Sequence, residues 1–115
     1  MAPLFPLGTM SVFYVPSHKL DAPRIDSDAT ARANIHQFLI ERYKAYTHTP
    51  APVKGYWSDE QGNLVHDVME RFEVSFNGED EFAGLIEFLV TLAADLDEES
   101  IYLTRGDRSY LVRCT

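Results

Sequence analysis

The order of sequence patterns predicts an α+β protein, an antiparallel sheet with two helices packed on one face. Three observations carry this. Segments 29–46 and 79–96 repeat apolar residues at helical spacing. The segments around them are rich in β-branched and aromatic residues. Strands and helices are interleaved, with a hairpin signal between the second and third strands and another at the end.

The first strand is read at 11–15, Ser-Val-Phe-Tyr-Val, and Pro16 ends it. A loop over 18–26 follows. Asp26, Ser27 and Asp28 offer N-caps for a helix over 29–46. Ile35, Phe38, Leu39, Tyr43 and Tyr46 form its inner face, with Arg32, Gln37, Glu41 and Lys44 mostly on the other side. Pro50 and Pro52 break the helix.

A short second strand is read at 53–57, then a polar turn through Gly62. The third strand, 64–76, is long. Its even positions, Leu64, His66, Val68, Glu70, Phe72, Val74 and Phe76, are expected to face the core, with His66 and Glu70 as exceptions. Asn77 is the expected cap of the second helix, whose buried stripe runs from Phe82 through Leu85, Ile86, Leu89, Leu92 and Ala93 to Leu96. Phe88 and Val90 widen that stripe, which predicts deep burial or a second contact. Strands at 101–104 and 109–113 flank Gly106-Asp107 as a tight hairpin.

The order is therefore β-α-β-β-α-β with a further C-terminal hairpin strand. That is the order of a ferredoxin-like sandwich, with both helices on one face of an antiparallel sheet. The other face is left for solvent, a ligand or another copy, with Tyr14, Trp57 and Tyr102 as candidates to line it. A chain of 115 residues suits a single domain, 1–115. Residues 1–10 are expected to be a flexible or cloning-derived extension, with Met10 as an alternative start.

Net charge is −8, from 18 acidic and 10 basic residues, which disfavours direct binding to nucleic acid or to an anionic membrane. The one cysteine, Cys114, allows no internal disulfide. No segment has the length and apolarity of a membrane span, and the start lacks the basic region of a signal peptide. These features predict a cytoplasmic protein.

Four histidines, His18, His36, His48 and His66, show no metal-ligand spacing, so no metal or other cofactor is expected. His66 and Glu70 share a strand face but lie four residues apart, about 13 Å along a strand. They cannot hold one ion but can belong to one elongated polar groove. Glu70 on an apolar face is the sharpest anomaly, because a buried carboxylate is costly unless paired. It marks an active site, or it sits at a rim, or in a bulge, or pairs with an arginine such as Arg42 or Arg113. Tyr56 and Trp57, beside a polar turn, form a binding platform or pack in the core. Arg105-Gly106-Asp107 is explained by turn chemistry alone. The candidate binding residues are thus Tyr56, Trp57, His66 and Glu70, and no catalytic residue is assigned.

Residues 55–65, Gly-Tyr-Trp-Ser-Asp-Glu-Gln-Gly-Asn-Leu-Val, carry a Gly-x-Trp-x-x-x-x-Gly hairpin. It resembles a family of small bacterial domains with that hairpin at the same place, and the resemblance implies a ferredoxin-like fold and no function. The broad layout also resembles trimeric signalling proteins of the PII and CutA type, without their motifs.

The first functional expectation is a non-enzymatic domain that self-associates as a homo-oligomer and binds a small molecule or a protein partner. A second is a small enzyme with a cleft around His66 and Glu70. A third is an acidic decoy of a nucleic-acid-binding protein, which requires the acids around the second helix (Glu79, Asp80, Glu81, Asp95, Asp97, Glu98, Glu99) to form one stripe.

Overall fold

The computed structural model describes residues 3–22 and 29–114. Strand β1 is Thr9–Pro16, followed by a single turn of helix, α1, at Ser17–Leu20 and by α2 at Ala31–Tyr43. Strands β2 (Thr47–Ser58) and β3 (Leu64–Phe76) form a long hairpin, α3 spans Glu79–Asp95, and β4 (Ser100–Arg105) and β5 (Arg108–Arg113) close the chain. The five strands make one sheet in the order β2-β3-β1-β4-β5, and every neighbouring pair is antiparallel. The α+β expectation is met.

Several local expectations are corrected. The loop expected from His18 contains α1, whose Leu20 is buried. Helix α2 begins at Ala31 and is capped by Thr30, whose Oγ1 accepts the Ala33 N–H at 3.1 Å; Asp26, Ser27 and Asp28 lie outside the described residues. Helix α3 starts after Gly78 (φ 101°), with no side-chain cap from Asn77. Pro50 and Pro52 do not end the secondary structure. They fall in an irregularity of β2, where pairing shifts between Thr49 and Val53. An edge strand tolerates prolines because its outer N–H groups need no partner, and β2 is an edge strand.

The core lies between the sheet and the helices. Phe13 and Phe72, paired across β1 and β3, stack with ring centroids 5.2 Å apart. Ile35 and Leu39 of α2 and Leu85 and Leu89 of α3 are fully buried against them. Burying a side chain of this size stabilises by about 1.5–3 kcal/mol relative to exposure. The apolar width of α3 is used within the chain, since Phe88 stacks on Phe38 of α2 at 4.1 Å.

Only the C-terminal half of β3 is covered. Phe72, Val74 and Phe76 are buried, whereas Val68 and Leu64, expected in the core, are 38% and 73% exposed. The cause is topological. Strand β1 stops pairing with β3 at Met69, so residues 64–68 pair only with β2, as a two-stranded ribbon beyond the helices. The ribbon turn is held by Asp59, whose Oδ1 accepts the N–H groups of Gln61 and Asn63 at 3.0 and 2.8 Å. On the helix-free face of the sheet, Tyr14 and Tyr102 lie side by side, 5.9 Å apart.

Candidate functional site

Glu70 stands on β3 where the covered sheet becomes the bare ribbon. On one side it is opposite Val15 of β1. On the other side, Arg71 pairs with Thr49 and Met69 with Val53, so Glu70 faces the stretch Pro50–Ala51–Pro52 in which β2 leaves its register. Bulges of this kind re-aim side chains. His48, directly opposite Phe72, lies flat on that ring with centroids 4.6 Å apart. From there its Nε2 reaches Glu70 Oε1 at 2.6 Å. With Glu70 ionised, this contact places a proton on Nε2.

Arg32, on the first turn of α2, closes the cluster. Its guanidinium donates to both Glu70 oxygens, from Nη1 at 3.0 Å and from Nη2 at 3.2 Å. It also donates to both Asp21 oxygens, from Nε at 2.8 Å and from Nη2 at 3.0 Å. Such forked pairing matches the planar guanidinium to two carboxylates. Exposure falls inward across the cluster, with the Asp21, Arg32 and Glu70 side chains 67%, 36% and 9% exposed. The Arg32 hydrogen bonds hold the Glu70 carboxyl below the usual carboxylate range against the opposing effect of burial, and His48 adds to this. Arg32 likewise lowers Asp21, and both carboxylates push the guanidinium further towards its charged form. The space between Asp21 and Glu70 that a cation would fill holds the guanidinium.

The cluster revises the sequence-based assignments. Glu70 is buried as expected, but its partners are Arg32 and His48, not Arg42 or Arg113. Arg42 instead meets Glu81, with Nε to Oε2 at 3.4 Å. His66 lies four residues from Glu70 along β3 and stacks against Tyr56, 5.8 Å away across the ribbon. The histidine in contact with Glu70 is therefore His48 and not His66, which lies further along the same strand face. The helical pattern puts Arg32 mostly on the outer side of its helix, and His48 stands out by no metal-ligand spacing. A long arginine on the first helical turn reaches back to the sheet, and this was the only available signal.

Of the four candidates, Tyr56, His66 and Glu70 share the helix side of the sheet, and Trp57 lies on the opposite side, across from Val65. The acids of α3 form no single stripe. Glu79 pairs with Arg105 at 2.9 Å, and beyond the helix end Glu98 pairs with Lys19 at 2.8 Å. This removes the basis of the decoy expectation. Among the described residues, no helix is long and apolar enough to cross a membrane.

No protein-family model matches the chain, and no curated protein matches its sequence. Two solved structures share its fold. One is a phage SAM lyase in complex with S-methyl-5'-thioadenosine, with a TM-score of 0.61 and 13% identity, covering 98% of this chain and 95% of that one. The other is a phage SAM lyase in the apo state, with a TM-score of 0.59 and 16% identity, covering 98% and 94%. Identity this low establishes likeness of fold. The first functional expectation, a non-enzymatic binding module, is corrected on this finding, since both matched structures are those of a SAM lyase.

Proposed function

We propose that this chain is a lyase acting on a sulfonium nucleoside, S-adenosylmethionine. Fold alone does not fix function. What carries the reading is a buried, mixed-charge cluster of Glu70, Arg32, His48 and Asp21 on a frame matched over 98% of the chain by structures of a SAM lyase. The strand order β2-β3-β1-β4 supports reading that frame as ferredoxin-like, with β5 added at the edge.

The chemistry of the substrate suits the cluster. S-methyl-5'-thioadenosine keeps the adenosyl and methyl groups on sulfur and lacks the amino-acid arm. Removing that arm breaks one C–S bond. Both electrons stay on sulfur, which becomes a neutral thioether. The arm carbon that loses them is taken by an oxygen of the arm's own carboxylate, closing a lactone ring that leaves with the ammonium, so atoms and charge balance with no outside nucleophile. The arm itself carries an ammonium and a carboxylate. Because Arg32 fills the space between Asp21 and Glu70, the ammonium meets these carboxylates at their outer lone pairs, and the second Nη1 N–H of Arg32 is left to donate to the carboxylate. An ionised Glu70 also gives the sulfonium a countercharge in a region partly withdrawn from water, where such attraction is stronger. The residues thus bind and orient the charged end of the substrate, with no proton transfer required of them for the C–S bond to break.

The test is calorimetric titration of S-methyl-5'-thioadenosine into the purified protein. Saturable binding supports the reading, and Glu70→Gln is expected to weaken binding of S-adenosylmethionine, which carries the arm and the sulfonium, more than binding of this product. Absence of saturable binding up to millimolar ligand contradicts it.

A further inference from the structure

The ribbon beyond Glu70 exposes rings that serve no purpose in the core. Tyr56 is 60% exposed, and the His66 ring beside it, at 29° to the Tyr56 ring, is exposed as well. Both lie on the sheet face that carries Glu70 and His48, because Tyr56 pairs with His66 and His48 with Phe72. Two-stranded ribbons are marginal by themselves, and an outward aromatic surface adds to the cost of keeping one in water. We infer that Tyr56 and His66 form a stacking platform for the adenine base of the ligand whose charged end sits at Glu70.

This rests on the function proposed above and extends it from the charged end of the ligand to its base. The spacing fits. His66 and Glu70 are four residues apart on one strand, about 13 Å. From N9 of the adenine to the α-carbon of the amino-acid arm, an extended S-adenosylmethionine has eight bonds and spans about 10 Å at roughly 1.2 Å of reach per bond, and the width of the base supplies the rest. A ligand laid along the ribbon therefore places its base over Tyr56 and His66 when its arm reaches Arg32 and His48. Val68, between them on the same face and 38% exposed, offers apolar contact to the ribose and sulfur. Purine bases stack readily on tyrosine and histidine rings. Trp57, on the reverse face of the ribbon, takes no part.

The experiment is titration of adenosine and of S-methyl-5'-thioadenosine into wild type, Tyr56→Phe, Tyr56→Val, His66→Val and Trp57→Val, each checked for unchanged melting. Valine keeps the strand preference while removing the ring. Tyr56→Val and His66→Val are expected to weaken both ligands about tenfold or more, the scale of one lost stacking partner. Tyr56→Phe and Trp57→Val are expected to bind as wild type does. Equal binding by the two valine variants, or equal weakening by Trp57→Val, overturns the platform while leaving the proposed function standing. If wild type binds adenosine through the platform but shows no saturable binding of S-methyl-5'-thioadenosine, the platform stands and the proposed function fails. Binding of neither ligand overturns both.

Discussion

Glu70 and Arg32 meet through two hydrogen bonds, 3.0 and 3.2 Å long, at the point where β3 leaves the cover of the helices. The pair joins α2 to the middle of the sheet, and the carboxylate is only 9% exposed. Removing either partner strands a charge that has lost most of its hydration. Arg32→Ala is expected to lower stability by about 2 kcal/mol, less than for a fully buried pair because the guanidinium remains partly solvated. Glu70→Gln keeps the shape and is expected to cost about 1–3 kcal/mol. Urea unfolding measures both, and a double variant whose loss equals the sum of the single losses would contradict a direct coupling.

Acid should loosen the same contact. Arg32 holds Glu70 and Asp21 below their usual carboxylate range, so the unfolded chain binds more protons than the folded one as the pH falls. The stability these groups contribute is present above the ordinary carboxylate value, about 4, and is lost as the pH drops through the lower folded values. The difference in unfolding free energy between wild type and Glu70→Gln is expected to shrink between pH 7 and pH 3. A constant difference across that range counts against the assignment.

The opposite end of the pH scale reports on Tyr43. Burial pushes its hydroxyl up to about 12, and it donates a 2.7 Å hydrogen bond to the Glu81 carbonyl. A raised acid stays protonated in the folded state while the unfolded state ionises. Its contribution is whole below the ordinary tyrosine value, about 10, and is lost as the pH rises through the folded value. Tyr43→Phe is expected to be less stable than wild type at pH 7 by about 1 kcal/mol and to show a smaller deficit at pH 11. Thermal melts at the two pH values decide this.

Ser11 offers a gain instead of a loss. Its side chain is fully buried in the sheet beside Val74, and its Oγ has no hydrogen-bond partner among the described residues. Leaving a hydroxyl unsatisfied there costs about 1–3 kcal/mol. Ser11→Ala is expected to raise the melting temperature by a few degrees. A lower melting temperature would show that the hydroxyl is satisfied after all.

The elements with strong periodicity were legible from the sequence. The bounds of β3 follow directly from its alternation, and the α3 stripe from Phe82 to Leu96 is buried apart from a partly exposed Ile86. Glu70 was also legible, because a carboxylate among alternating apolar residues stands out. Its partners were not. His48 lies 22 residues away and Arg32 lies 38 away, and no local pattern encodes a meeting that depends on where β2 breaks register. Pro50 and Pro52 misled the reading for the same reason: proline ends a helix, but on an edge strand it only interrupts the ladder. His66 and Glu70 share a face as alternation implies, yet the end of β1 at Pro16 leaves one on open ribbon and the other under cover. That boundary is set by a strand more than fifty residues earlier in the chain.

The most direct test of the proposed lyase is turnover. Purified protein is incubated with S-adenosylmethionine, and the nucleoside products are followed by mass spectrometry beside a Glu70→Gln control shown to be folded. The account predicts S-methyl-5'-thioadenosine accumulating in step with loss of S-adenosylmethionine, and a clear drop in that rate in Glu70→Gln. Formation no faster than in a protein-free control, or equal rates from the two proteins, would contradict it.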